Sequence, residues 1–185
     1  MNHIDLSSVL RQTVSCDLYS NLVTRPTGAA VRHQIERLLD DASDRTLTVI
    51  DFSQVSMIDF SCADEVIAKL LMRHEAADSP REAYFLFRGV TDEHWEAIEA
   101  VLERRGLALV LEQADGVHVV GTLSTEERRT WETVRQLGRA TATQLAERLE
   151  LATADVQRAL EALRRRRLLM RVGESYAVVG GHRGG

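Results

Sequence analysis

Apolar residues recur at two different spacings along the chain, and the spacing predicts the elements. Val31, Ile35, Leu38 and Leu39 repeat at helical intervals with Arg32, Gln34, Glu36 and Arg37 between them, the signature of a helix with one buried face. That helix should end near Asp40-Asp41. Thr46 to Ile50 is short, β-branched and almost continuously apolar, as in a strand covered on both faces. A loop with a short extended stretch around Val55 and Ile58 then leads into a second helix near 62–77, with Ala63, Val66, Ile67, Leu70 and Leu71 on one side. Ala83 to Phe87 reads as a strand, and Thr91 to Arg105 as a third helix with Trp95, Ile98, Val101 and Leu102 inward. Thr91 can cap that helix and Gly106 stops it. Leu107 to Leu111 and Val117 to Val120 are further strands. Thr24-Arg-Pro-Thr-Gly28 reads as a loop before the first helix. Residues 4–23, with Ile4, Leu6, Val9, Leu10 and Val14, fit a helix or an irregular strand, and the pattern leaves both open.

Strands alternating with helices imply a mainly parallel α/β sheet with helix cover. Past Gly121 the pattern changes to three helices and a hairpin. Ser124 with Glu127, and Thr141 with Gln144, have the spacing of capping boxes. Trp131, Val134 and Leu137 line the first of these helices, and Leu145, Ala146 and Leu149 the second. Thr153 is placed to cap the third, which turns Val156, Ala159, Leu160 and Leu163 inward and closes on Arg164 to Arg167, basic residues suited to its own C-terminal end. Gly173-Glu174 turns Leu168–Val172 back into Ser175–Val179. The expectation is two separate hydrophobic bodies: an α/β domain over 1–121, a small helical domain with a hairpin over 122–180, and a disordered tail at 181–185.

Charge deepens that division. The net charge of −5 hides 11 basic against 20 acidic residues in 1–121, and 12 against 8 in 122–185. An acidic front and a basic back point to different partners. No apolar run approaches the roughly 20 residues that span a bilayer, and Met1-Asn-His-Ile-Asp5 lacks the basic and apolar regions of a signal peptide. The expectation is a cytoplasmic protein with no membrane partner.

Cys16 and Cys62 are too few for a disulfide framework or a thiolate-rich metal site. His33, His74, His94 and His118 fall on separate elements with no metal-ligand spacing. No glycine-rich phosphate cradle follows any strand. Cys62 at a helix start has the position of a reactive thiol, although neighbouring carboxylates oppose it. Asp51, Asp59 and Asp64 stand near strand and helix ends without the companion residues of a cation site. Trp95 and Trp131 lie on apolar stripes and read as core. The chain is therefore read with no catalytic residue, no metal and no cofactor.

Residues 124–179 resemble a winged helix-turn-helix domain of bacterial regulators, through Ala140-Thr-Ala-Thr-Gln-Leu-Ala-Glu-Arg-Leu149, Leu151-Ala-Thr-Ala-Asp-Val-Gln-Arg-Ala-Leu160, Leu163 and the hairpin. In the DNA-binding version the third helix enters the major groove. The resemblance implies that Thr153, Gln157 and Arg158 meet bases or phosphates, with Arg171 of the wing on the backbone; Asp155 opposes phosphate there. Domains of this kind also dock proteins or RNA.

Val49-Ile-Asp-Phe-Ser-Gln-Val55 and Ile58-Asp-Phe-Ser-Cys-Ala-Asp-Glu65 before an amphipathic helix, with Ser20 to Gly28 before another, resemble the STAS superfamily of anti-sigma-factor antagonists, in its uncharacterised STAS-like branch. The family's Asp-Ser-Ser/Thr-Gly motif, whose second hydroxyl is phosphorylated, falls by position on Asp59, Phe60, Ser61 and Cys62. Phe60 and Cys62 depart from it. The resemblance implies a switch module whose partner is a regulatory protein of the anti-sigma-factor or serine-kinase type. From the residues alone, Ser61 and Asp64 have capping-box spacing, so Ser61 reads as the helix N-cap, with Asp59, Asp64 and Glu65 placed to repel a phosphate on it. The working expectation is a partner-binding patch of Ser61, Asp59, Cys62, Asp64 and the exposed face of helix 62–77, in a non-enzymatic regulator that also reaches DNA. A protein-only adaptor, a small enzyme and a homodimer stand as alternatives.

Overall fold

The structure, a computed structural model, describes residues 2–5, 21–42, 45–79 and 81–181. The readings at Leu6, Val9, Leu10, Val14 and Cys16, and of the tail from residue 182, lie outside the described residues. The fold is mixed α/β. Strands β1 (Asn2–Asp5), β3 (Arg45–Asp51), β5 (Glu82–Arg88), β6 (Ala108–Gln113) and β7 (Gly116–Gly121) form one sheet in that order. β1, β3, β5 and β6 run parallel, and β7 returns antiparallel to β6. A separate parallel pair joins β2 (Asn21–Leu22) to β4 (Met57–Ile58).

Three helices cover one face of the sheet. They are α1 (Arg25–Asp40), α2 (60–75) and α3 (Asp92–Arg105). α2 is continuous from Phe60–Ala63 through a π-helical stretch, Asp64–Ala68, to Lys69–Glu75. α2 is packed by both neighbours and the sheet, so Cys62 to Ala68 are all buried. α1 begins at Arg25, with Pro26 in its first turn, so Thr24–Gly28 is a helix start and not the expected loop. Gly28 is buried where α1 meets α2. A Cβ on it would stand 2.9 Å from Cys62 Cα and from Glu65 Cβ. The glycine serves close approach, not flexibility.

After Gly121 come α4 (Thr125–Leu137), β8 (Ala140–Thr141), α5 (Ala142–Leu149), α6 (Thr153–Arg165), β9 (Leu169–Val172) and β10 (Ser175–Val178). β10 is central in a three-stranded antiparallel sheet with β8 and β9. Both predicted capping boxes are formed. The cap expected from Thr153 is not: the cap position of α6 is Ala152, and Thr153 is its first residue.

The interior does not divide at Gly121, against the expectation of two hydrophobic bodies. Val49, Tyr84, Leu86, Ala108, Val110, Val117 and Val119, on the sheet face turned away from α1–α3, form one buried cluster with Trp131, Val134, Leu145, Leu160, Leu169 and Val178. The second half is the cover of that face, which accounts for the unbroken apolar run of β3. Leu38 faces outward and Trp95 is only half-buried, so neither is the core residue expected, whereas Trp131 is fully buried and donates its indole N–H to Leu168 O at 3.1 Å.

Arginines stitch the seam. Arg128 donates to Val119 O and Gly121 O, and Arg45 to Arg171 O. Arg166 donates to Gly106 O and Thr122 O, and Arg167 to His74 O and Arg81 O. Arg166 and Arg167 thus stand at the carboxyl ends of α3 and α2 instead of serving only the end of α6, where sequence placed them. Among the described residues no helix is long and apolar enough to cross a membrane.

Candidate functional site

The starts of α1 and α2 meet, and Asp59 holds them together. Its Oδ1 accepts from Cys62 N at 2.8 Å and its Oδ2 from Thr24 N at 3.1 Å. Asp59 is therefore the N-cap of α2, in extended conformation. This corrects the sequence reading: Ser61 is inside the first turn, half-buried, and takes no part in the cap. Thr24, whose N–H donates to Asp59, has φ 74°, a left-handed conformation that a β-branched residue holds only under tertiary constraint.

Cys62 Sγ donates to Thr24 O at 2.8 Å, and the residue is fully buried. Burial pushes its thiol up to about 12, helped by the Asp59 carboxylate. The thiolate needed for nucleophilic or redox work is disfavoured, and Cys62 is a packing residue rather than an accessible member of a patch.

Asp64 is also not exposed. It is 2% accessible and accepts from Arg105 Nε and Nη2 at 2.9 and 3.0 Å and from Arg25 Nη1 at 3.0 Å. One carboxylate thereby ties the last turn of α3 and the first turn of α1 to α2. The hydrogen bonds from Arg105 hold its pKa below the usual carboxylate range, with Arg25 adding to them against burial. Glu65, equally buried, receives Arg25 at 2.7 Å and Arg32 at 3.4 Å, and is paired with Lys69. Burial would raise its pKa, but these cations outweigh it and the group is held low. Instead of repelling a phosphate at Ser61, both carboxylates are neutralised by arginines that are themselves part-exposed, Arg25 at 48% and Arg105 at 38%. Beside Arg105 on α3, Arg104 lies 5.4 Å over the Phe60 ring. Sequence reasoning missed these arginines because they lie 29 or more residues away from Ser61 and share no motif with it.

The second group of predicted site residues is on α6 and β9. Thr153, Gln157 and Arg158 are exposed on one side of α6, and Arg171 is exposed on β9. Their charge is partly engaged. Arg158 pairs with Asp155 at 2.5 Å, Arg164 with Glu161 at 2.6 Å, and Arg171 Nε donates to Gly173 O in the hairpin turn. With Arg128, Arg166 and Arg167 hydrogen-bonded across the seam, part of the basic surplus of the second half is engaged there. The two groups of residues are not brought together into one site.

Buried His94 is fixed as a structural residue. Thr91 N–H donates to its Nδ1 at 3.1 Å, so Nε2 carries the proton and donates to Val55 O at 2.7 Å. Among the described residues no three His, Cys, Asp or Glu side chains are arranged to hold a metal ion. The chain matches no protein-family model, no curated protein and no solved structure.

Proposed function

We propose that the chain is a non-enzymatic, cytoplasmic regulatory protein: a STAS-like protein-binding module that carries a winged helix-turn-helix on the back of its sheet. The sheet order with helices on one face supports the first assignment. The order helix, short strand, two helices and hairpin, with β8 paired to the hairpin, supports the second.

The observation that carries the functional reading is the double grip of Asp59, which relieves Ser61 of the cap and leaves its hydroxyl at a part-exposed helix start. A helix N-terminus tolerates an anion, and Ser61 shares a helix side with Asp64 and Glu65, three and four residues on. A phosphate there would compete with Asp64 and Glu65 for Arg25, loosening the tie between α1 and α2. The partner is a regulatory protein of the anti-sigma-factor or serine-kinase type, bound when Ser61 is unmodified and released when it is not. Phosphosite mapping of the chain isolated from its own cells tests this: phosphate is expected on Ser61, and phosphate confined to other hydroxyls counts against it.

A second reading, duplex DNA as a partner of α6, is favoured by the exposure of Thr153, Gln157 and Arg158 together. It requires binding that weakens steeply with salt. A mobility-shift titration of the whole chain at two salt concentrations decides it, and salt-independent binding or none removes DNA.

A further inference from the structure

α3 is the last of three helices laid over five strands, and beyond it the same face of β7 is left part-exposed at Gly116, His118 and Val120. A groove of about 190 Å³ runs there, with Trp95 of α3 on one side, Leu111 and Val120 of the strands as its floor, and Asp92 and Gln113 at its rim. The half-buried indole faces this slot.

The exposed side of α3 above the slot is acidic, and Asp92 of that side lines the slot. Asp92, Glu96, Glu99 and Glu103 follow one another at spacings of four, three and four, which places them in one stripe along the helix. All four are exposed, and none is joined by an ion pair to a described residue. The helical repeat sets this stripe next to Trp95. Arg104 marks the opposite flank, turned to α2 and stacked on Phe60. On α1 and α2, by contrast, Glu36, Asp64 and Glu65 are paired with arginine or lysine. The helix dipole accounts for Asp92 in the first turn, but not for Glu99 and Glu103, which stand nearer the negative end. Like charges at such spacings weaken a helix.

We propose that this slot docks a basic amphipathic helix of a partner protein, as a fourth helix over β7. Its apolar side covers Trp95 and Val120, and its lysines or arginines run along Asp92, Glu96, Glu99 and Glu103. Charge complementarity selects the occupant: nucleic acid and acidic peptides are repelled by this stripe. The proposal is independent of the reading of Ser61.

The test uses the full chain and a synthetic helical peptide with leucines on one side and lysines on the other. In calorimetric titration, Glu96→Gln/Glu99→Gln/Glu103→Gln should weaken binding at least tenfold, while Glu126→Gln/Glu147→Gln/Glu174→Gln, an equal charge change at exposed residues of the second half, should leave it within twofold. Because Trp131 is sealed in the core, a shift of indole emission on binding reports Trp95 and should vanish in Trp95→Phe. Equal weakening by both triple variants, no shift of emission, or no binding at all would overturn the proposal.

Discussion

The Nε of Arg167, in the second half of the chain, donates to the carbonyl oxygen of His74 at the end of α2, 3.1 Å away. Its guanidinium also reaches Arg81 O and lies 5.9 Å over the Tyr84 ring, while its backbone holds φ 60°. A charged donor placed on a helix's last carbonyls is favourable by the dipole and by the hydrogen bond itself. Arg167→Ala should cost about 2 kcal/mol in urea unfolding. Amide exchange should then quicken at the end of α2 as well as around Arg167, since one side chain serves both. Faster exchange confined to the second half would show that the seam does not depend on it.

Beside that contact sit two titratable groups with opposite pH signatures, His74 buried and Glu75 part-buried. Burial raises Glu75 to about 7, against the opposing field of Arg166, Arg165 and Arg167, and lowers His74 to about 4, with Arg73 and Arg167 adding to burial. Glu75 holds its proton longer in the folded chain than in the unfolded one, so its contribution makes stability fall as pH rises from about 4.5 to about 7. His74 takes its proton later than in the unfolded chain, so its contribution makes stability rise from about pH 4 to about 6.5. The two oppose each other over the shared range. Glu75→Gln should stabilise at pH 8 and do little at pH 4.5, leaving a profile that rises between pH 4 and 6.5. Parallel wild-type and variant profiles from chemical denaturation would contradict this.

Gly28→Ala should destabilise the chain, although alanine in a helix interior ordinarily gains about 1 kcal/mol over glycine. The added carbon meets the α2 backbone at 2.9 Å, and overpacking of this kind costs about 1–3 kcal/mol. Thermal unfolding should show a lower midpoint; an unchanged or higher one would mean that α1 and α2 can separate without loss.

In a Cys16→Ser background, Cys62 should resist a thiol reagent at pH 8 and react at the rate of unfolding. Its side chain is fully buried and its thiol is pushed up to about 12. Immediate reaction in the folded chain would place it at an accessible surface.

Local patterns were legible in the sequence, and contacts between distant residues were not. The strands, the helices and two capping boxes follow from spacing and end residues that lie within a few positions of one another, as at Ser124 and Glu127. Thr24–Gly28 was misread because Pro and Gly mark loops as readily as helix starts, and the reason for Gly28 is Cys62, 34 residues on. Ser61 and Asp64 have the spacing of a cap, yet Asp59 takes that role and Asp64 turns inward to Arg105. The basic run Arg164–Arg167 looked like a solvated helix end because its acceptors, His74 O and Gly106 O, are backbone atoms about 60–90 residues away. The shared interior was hidden for a similar reason. An apolar strand such as β3 declares that both faces are covered, not which part of the chain covers them.

The role of Ser61 is tested most directly by quantitative affinity capture from the native cell with three full-length baits: the wild-type chain, Ser61→Ala and Ser61→Asp. The account predicts a protein enriched equally by the wild-type and alanine baits and reduced at least tenfold on the aspartate bait, with all three baits equally folded by circular dichroism. Equal enrichment on all three, or loss on alanine and aspartate alike, would contradict it.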